Sequence, residues 1–273
     1  MAKHRRFVSL KLNEMKIGII GAGNLGAAIA RGIIADGAFE KLIISKRNIT
    51  SIKQLEADKV EVTTDNSYLI EQADILILAL KPYNIIPFLK EFKSSLDPKR
   101  HSIVSAATGI TIDEIKEVVG EFDIHRAMPN TAATIGESIT ALCGNGELDL
   151  RREEVEQIFN SVGETVQIEE HLMESATILG ACGVAYVLRF MRAMIQGGIE
   201  VGFDAPTATK IVAQTMKGAS ELIIKNGSHP EEEIDKVTTP KGCTIVGLNE
   251  MEHAGFSSAL IKGIVTSYQR IEK

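Results

Sequence analysis

Short apolar runs alternate with stretches of helical spacing through the first two thirds of the chain. The clearest runs are Lys41 to Ser45, Asp74 to Leu80 and Ser102 to Ala106, and a segment of helical character follows the last two. Continuous apolar runs of this length are typical of strands that are buried on both faces of a parallel sheet. The alternation therefore predicts an α/β fold, with helices covering both faces of the sheet.

Further elements extend the same rhythm. Helices are expected after Asp65, after Lys81-Pro82, and from Thr111 to Val119, where Thr111 and Glu114 have the spacing of a capping box. Another helix is expected near Asp149 to Val162. Additional strands are predicted at Val60 to Val62, His125 to Met128, Ile139 to Cys143 and Thr165 to Ile168.

The pattern changes at about Glu170, beyond which we find no strand pattern. Four helices are predicted, over Leu172 to Val201, Pro206 to Lys225, Thr244 to His253 and Ser257 to Ile271. The first is apolar nearly all round, which is typical of a helix buried in a large core or against a partner. So few helices have little core of their own, and an intertwined dimer is expected. We divide the chain into an N-terminal extension (1–14), a sheet domain (15–169) and a helical dimerisation and substrate domain (170–273).

The first apolar run, Lys16 to Ile20, ends in a G-x-G-x-x-G motif that opens the first helix, predicted from about Asn24 to Asp36. Gly21 permits a tight turn, Gly23 lets a pyrophosphate approach the backbone, and Gly26 lets the helix pack closely on the strand. Phosphates then lie at the positive N-terminus of the helix, beside Asn24 and Leu25. Between a strand and a helix, this motif predicts a Rossmann-type dinucleotide site.

The end of the second strand indicates which dinucleotide is preferred. An NAD site places an Asp or Glu there to bind the ribose hydroxyls, whereas this chain has Ser45, Lys46 and Arg47. Cations and a hydroxyl suit a 2′-phosphate, so NADPH is expected, with NADH as a weaker alternative. A solvated basic loop remains the other interpretation.

A second stretch with chemical potential is Lys236 to Glu252. Pro240 and Gly242 force a turn, after which apolar residues fall at helical spacing. Backbone N–H groups from Lys241 to Thr244, with Thr238 and Thr239 beside them, would form an anion cradle suited to a carboxylate. A capped helix without a ligand is the competing interpretation.

Composition narrows the function classes. The 273 residues carry a net charge of −6, so no nucleic-acid-binding footprint is present. Three widely spaced cysteines without a C-x-x-C motif argue for reduced thiols and a cytoplasmic location, and against a disulfide framework or a metal site. No uninterrupted apolar stretch of membrane-spanning length is evident, so no membrane partner is expected. Residues 1–14 are basic but lack the apolar core of a secretory signal.

Five motifs together resemble the pyrroline-5-carboxylate reductase family. They are G-A-G-N-L-G, S-K-R-N, L-A-L-K-P at Leu78 to Pro82, A-M-P-N-T at Ala127 to Thr131, and V-T-T-P-K-G-C-T-I-V-G-L at Val237 to Leu248. The resemblance runs from Met15 to the C-terminus, and the last motif is the family's signature. It implies a Rossmann domain, a helical dimerisation domain often assembled into rings of dimers, and NADPH-dependent reduction of a cyclic imine carboxylate to proline.

The resemblance also implies roles for individual residues. Thr244 matches the hydroxyl that hydrogen-bonds the imine nitrogen, and Thr239 with the amides of Gly242, Cys243 and Thr244 matches the carboxylate site. The segments that line the nicotinamide are matched by Ala79, Leu80, Lys81 and Pro82 and by Met128, Pro129 and Asn130. The chain departs from the family at Ala132, Thr239 and Lys241 and over Gly180 to Val184, which leaves the ring size of the imine open.

Two other functions remain open at this point. One is a related NADP-dependent imine reductase, or a β-hydroxyacid or prephenate-type dehydrogenase; the dehydrogenases need a Lys or His catalyst, for which the helical region offers no convincing candidate. The other is a non-catalytic NADP-binding regulatory module, against which an intact Thr244 and its helix start argue. Glu231, Glu232 and Glu233 are interpreted as the first turn of a helix rather than as metal ligands.

Overall fold

The computed structural model describes residues 14–146 and 150–271. Its N-terminal part is built on one eight-stranded sheet with the strand order β3-β2-β1-β4-β5-β6-β7-β8. The strands are β1 (Lys16–Ile20), β2 (Lys41–Ser45), β3 (Val60–Thr63), β4 (Ile75–Leu78), β5 (Ser102–Ser105), β6 (Asp123–Met128), β7 (Ser138–Gly144) and β8 (Gly163–Gln167). The order reverses between β1 and β4, which is the switch point of a dinucleotide-binding sheet.

The sheet is parallel with one exception. Six of its seven strand pairs are parallel, whereas β6 and β7 are antiparallel. The short 3₁₀ helix Thr131–Ile135 lies in the connection between these two strands. A parallel pair needs a longer crossover, so this short link returns the chain in the opposite direction. The predicted parallel sheet is thus confirmed, with an antiparallel return at this one pair.

Helices connect most of the other strands and confirm the predicted rhythm. They are α1 (Asn24–Asp36), α2 (Asn66–Gln72), α3 (Pro82–Phe92), α4 (Ile112–Val119) and α5 (Arg152–Asn160). The predicted caps are present: the Asp65 side chain accepts from the Tyr68 amide, and Thr111 and Glu114 form both bonds of the capping box. Helix α1 ends at Gly37, which adopts φ 72°. The two faces of the sheet are covered by separate apolar clusters, so the strands are buried on both sides.

Beyond β8 the chain is helical, as expected, although the first long helix is interrupted. It consists of α6 (Met173–Ala176), a π-helix (Thr177–Cys182) and α7 (Gly183–Glu200). The helices α8 (Ala205–Asn226), α9 (Pro230–Val237), α10 (Cys243–His253) and α11 (Phe256–Ile271) follow. The four predicted spans did not include α9, although Glu231 to Glu233 were interpreted as the first turn of a helix. The chain divides into two compact units, one running to Cys182 and the other spanning Gly183–Arg270.

The second unit has almost no core. Among its described residues only Ile195, Ala208 and Val212 are buried hydrophobic side chains. Of the two environments expected for α7, a large core within this chain is not present, because Ile195 is its one buried residue; burial against a partner stays the expectation. By length and composition, the helical stretch Glu170–Glu200 could also cross a membrane, and very little of it is buried. This stretch contains Arg189 and Arg192, so it is not an uninterrupted apolar run, and the absence of a membrane partner stays a prediction.

Two predictions fall on residues outside the described ranges. The N-terminal extension is one of them, apart from its last residue, Glu14. The other is Asp149, the predicted start of the helix that the structure begins at Arg152.

Candidate active site

The glycine motif forms a tight turn between β1 and α1. Gly21 adopts φ 96°, a conformation that favours glycine, and a Cβ there would lie 2.7 Å from the Ala79 carbonyl oxygen. A Cβ on Gly26 would clash with the Gly21 carbonyl oxygen. A Cβ on Gly23, in contrast, would meet no atom within 4 Å. Two glycines are thus required by internal packing, while Gly23 leaves open space above the backbone.

The N-terminus of α1 is free of internal capping groups. Gly23 is the N-cap residue, no side chain accepts a hydrogen bond from the first turn, and the turn contains no acidic residue. The first amides of any helix lack partners within the helix. The amides of Asn24 and Leu25 therefore belong to a positive, uncapped helix start beside the open space at Gly23, which suits a phosphate.

The second strand places its basic residues at the same carboxyl edge of the sheet as the glycine turn. Arg47 is exposed and Lys46 is partly buried, with Nζ of Lys46 2.7 Å from Oγ of Ser51. Ser45 is buried, and its hydroxyl donates to Oδ1 of Asn66 at 2.7 Å. Its carbonyl oxygen accepts from the amides of Gly21 and Ala22. Ser45 therefore supports the glycine turn, and the exposed charge in this group is that of Arg47.

The end of β4 adjoins the glycine turn directly. The amide of Ala79 donates to the Ile20 carbonyl at 2.9 Å, and Leu80 Cδ2 would lie 2.8 Å from a Cβ on Gly21. Lys81 is the N-cap residue of α3 and Pro82 its first residue, a favourable place for a proline. Lys81 is exposed. The structure thus brings Ala79 to Pro82 next to Gly21 at the switch point.

The loop after β6 is held more tightly than the sequence indicated. Met128, Pro129 and Asn130 are all buried. The Asn130 amide group is engaged at both ends: Oδ1 accepts from the Ala132 amide at 2.9 Å, and Nδ2 donates to the Gly180 carbonyl at 3.2 Å. Sequence reasoning gave no signal for Gly180 as a partner, because fifty positions separate the two residues in the chain.

The signature stretch forms a turn followed by α10, all within the second unit. The amide of Gly242 donates to the Thr239 carbonyl at 2.9 Å, with Pro240 and Lys241 between them. Lys241 adopts φ 62°. A Cβ on Gly242 would lie 2.6 Å from Oγ1 of Thr239, so glycine is needed for this close approach. The proline followed by a residue with positive φ is the arrangement of a type II turn.

The predicted anion cradle is smaller than the sequence indicated. The Gly242 amide is used within the turn, and the Thr238 hydroxyl donates to the Asp235 carbonyl at the end of α9. What remains is the start of α10, where Cys243 is exposed, Thr244 is partly buried, and no side chain caps the helix. This turn contains no acidic residue, so its amides are suited to an anion.

Glu231, Glu232 and Glu233 form the first turn of α9, as expected. Hydrogen bonds from Lys236 and Ser228 to the Glu233 carboxylate hold the pKa of Glu233 below its ordinary value. Among residues 14–146 and 150–271, no group of His, Cys, Asp and Glu side chains converges as metal ligands would.

Two family models match this chain. One is described as pyrroline-5-carboxylate reductase dimerisation and covers residues 170–273. The other is described as NADP oxidoreductase, coenzyme F420-dependent, and covers residues 16–109. The second match includes the glycine turn, Arg47 and the Lys81-Pro82 segment.

Individual proteins match over nearly the whole chain. Pyrroline-5-carboxylate reductase 2 of Dictyostelium discoideum is 41% identical, over 96% of this chain and 93% of its own length. Pyrroline-5-carboxylate reductase 1 of the same organism is also 41% identical, but this chain spans only 49% of its length. The crystal structure of the Plasmodium falciparum pyrroline carboxylate reductase with NADP bound is 27% identical, with a TM-score of 0.84 over 95% of this chain and 98% of that one.

Proposed function

The chain belongs to the pyrroline-5-carboxylate reductase family, and we propose that it catalyses the NADPH-dependent reduction of 1-pyrroline-5-carboxylate to L-proline, the final step of proline biosynthesis. It is an oxidoreductase of the class that acts on CH–NH bonds. The observation that carries the proposal is the pair of uncapped helix starts, at Gly23 in the sheet unit and at Gly242 in the helical unit, each of which suits an anion.

The glycine turn fits the pyrophosphate of NADPH. The space above Gly23 is open, and the adjoining start of α1 carries neither a side-chain cap nor an acidic residue. Arg47 is exposed at the carboxyl end of β2, where it is suited to bind a 2′-phosphate, and Lys46 adds a second cation. We therefore assign NADPH as the preferred cofactor and NADH as a weaker alternative. When bound, NADPH supplies the hydride that is added to the imine carbon.

The chain's own contribution is to hold and orient the imine. The start of α10 binds the substrate carboxylate through the amides of Cys243 and Thr244, with Thr239 beside them. The Thr244 hydroxyl hydrogen-bonds the imine nitrogen: its oxygen accepts from the N–H of the protonated imine and stays with it as the nitrogen becomes an amine. This contact keeps the same face of the ring toward the hydride donor. An imine is basic enough to gain its proton from solution near neutral pH, so no buried carboxylate or histidine is required.

The exposed helical unit is the reason for proposing a homodimer. A second copy would cover apolar side chains that stand in solvent here, among them Leu188, Val187 and Leu260. The match of residues 170–273 to a dimerisation model supports burial of these side chains by a second copy rather than by a lipid bilayer. The same match supports placing the domain boundary after residue 169. Assembly into a ring of dimers and a cytoplasmic location belong to the same proposal.

The proposal is tested by following NADPH oxidation with three substrates: 1-pyrroline-5-carboxylate, its six-membered homologue and the 2-carboxylate isomer. We expect the highest kcat/KM with 1-pyrroline-5-carboxylate and proline as the product. Acetoacetate with NADPH, and a β-hydroxyacid with NADP⁺, serve as controls for dehydrogenase activity. Turnover of a control substrate, or a clear preference for another imine, would replace the assignment with one of the alternatives named above.

A further inference from the structure

We propose that Asn130 is a positioning residue for hydride transfer, acting as a latch that ties the loop after β6 to the π-helix Thr177–Cys182. The inference deepens the proposed function and depends on it. Asn130 was expected from the family resemblance to line the nicotinamide. Both ends of its side-chain amide also make hydrogen bonds within the protein.

Three hydrogen bonds define the latch. The Asn130 backbone amide donates to Oγ of Ser138 at 2.9 Å, and Oδ1 accepts from the Ala132 amide at 2.9 Å. Nδ2 then reaches the Gly180 carbonyl at 3.2 Å. The first two bonds shape the loop itself, whereas the third joins it to a segment that lies fifty positions further along the chain.

The partner carbonyl, that of Gly180, lies within the π-helix. A π-helix replaces i→i+4 bonds by i→i+5 bonds, which disturbs the ordinary pairing of carbonyls in that turn. At its start, the Thr177 hydroxyl donates back to the Met173 carbonyl at 2.8 Å, a contact that often bends helices. Single-turn π-helices are frequent at functional sites.

A second connection fixes the beginning of the same segment. Arg126 of β6 is buried, and its guanidinium donates to Glu170 at 3.1 Å and to Glu174 at 2.8 Å. Met128 and Pro129 therefore lie between two anchors, Arg126 and Asn130, both attached to the stretch Glu170–Cys182. Such a double attachment fixes the position of the loop backbone far better than one bond would.

The latch should affect the rate of hydride transfer and not the affinity for NADPH. The loop lies at the carboxyl edge of β6, on the side of the switch point opposite β2, where the nicotinamide half of the cofactor is expected. Rates of transfer between bound reactants fall steeply when one of them is misplaced by about 1 Å. Loss of the latch should therefore slow hydride transfer, while the pyrophosphate and adenosine contacts keep NADPH bound.

The informative variant is Asn130→Ser. A serine keeps an oxygen that can accept from the Ala132 amide but is too short to reach the Gly180 carbonyl. The matched control is Asn145→Ser: Asn145 also bridges backbone groups, with Nδ2 donating to the Phe122 carbonyl at 2.6 Å and Oδ1 accepting from the Ile124 amide at 3.3 Å. That bridge lies at the amino end of β6, away from the proposed site.

Both variants and the wild-type enzyme are assayed for kcat, for the dissociation constant of NADPH, and for the kinetic isotope effect with NADPH deuterated at C4. We expect Asn130→Ser to lower kcat by about tenfold to hundredfold, to raise the isotope effect, and to change NADPH binding by no more than about twofold. Asn145→Ser should lower the melting temperature comparably but leave kcat and the isotope effect unchanged.

The outcomes separate the latch from the proposed function. Equal behaviour of the two variants, or a loss confined to NADPH binding in Asn130→Ser, overturns the latch. A wild-type enzyme that does not reduce the imine overturns the proposed function instead. Should Asn130→Ser not fold, Asn130→Asp replaces it, because a carboxylate keeps the bond to Ala132 and repels the Gly180 carbonyl.

Discussion

The two units of this chain bury their apolar side chains to very different extents. The sheet unit contains two large clusters, and strand residues such as Ile19, Leu42 and Ile77 are completely inaccessible. The helical unit, over the residues that the structure describes, buries three hydrophobic side chains, while Leu188 remains 57% exposed. One unit is stabilised by its own chain, whereas the other has apolar surface that requires a partner.

The difference shows that apolar content alone does not predict a core. Both regions are rich in Ile, Leu, Val and Met. In the sheet unit these residues fall in short strands that helices cover on both faces. A single chain can therefore bury them. In the helical unit they surround helices that are too few to enclose one another.

The largest expected effect tests whether the helical unit supplies chemistry as well as an interface. Thr244→Val keeps the shape of the side chain and removes its hydroxyl, so the amides at the start of α10 should still bind the carboxylate. We expect kcat to fall by about 10- to 1000-fold with NADPH binding unchanged. A near-normal kcat, or a change in the KM for NADPH alone, would make Thr244 a helix residue without a catalytic role.

The second effect tests whether a second copy buries the exposed apolar surface of the helical unit. Leu188→Glu places a carboxylate on α7, where we expect it to be buried against a second copy. Burying an unpaired charge costs several kcal/mol, so the dimer dissociation constant should rise by about a hundredfold or more in sedimentation experiments. Leu150→Glu is the control, because Leu150 is 71% exposed on the sheet unit and should tolerate the charge. Two equally dimeric variants would remove Leu188 from the interface.

The third effect concerns the sheet unit and its cofactor. Arg47→Ala removes a charge-assisted contact worth roughly 1.5 to 3 kcal/mol, so NADPH should bind about tenfold to a hundredfold more weakly. NADH lacks the 2′-phosphate, and its dissociation constant should hardly change. Lys53→Ala, in the nearby 3₁₀ helix, serves as a control for general loss of positive charge. Equal losses for the two cofactors would mean that Arg47 contacts something other than the 2′-phosphate.

The smallest effect compares one strained turn from each unit. Lys59 before β3 and Lys241 before α10 are the non-glycine residues with positive φ among those described, at 65° and 62°. Replacing either by glycine relieves backbone strain but makes the unfolded chain more flexible, for a net gain of about 0.5 to 1 kcal/mol in the free energy of unfolding. Urea titrations at one fixed protein concentration would measure both. A gain for Lys59→Gly alone would indicate that the helical unit does not unfold together with the sheet unit.

Local patterns determined much of the fold. The strands, the caps at Asp65 and Thr111, and the end of α1 at Gly37 were predictable because each depends on residues a few positions apart. The glycine turn was predictable for the same reason, whereas the sequence around Thr244 left both an anion cradle and a capped helix without a ligand open.

Contacts between distant residues were decided only by the tertiary structure. These include the burial of Ser45 against Asn66, the engagement of Asn130 with Gly180, and the antiparallel return of β7. None has a periodic signal, because each pairs groups that approach only once the strands lie side by side. The exposure of the helical unit belongs to the same class: an apolar helix has one pattern whether its own chain or a second copy covers it, and only the packed chain distinguishes them.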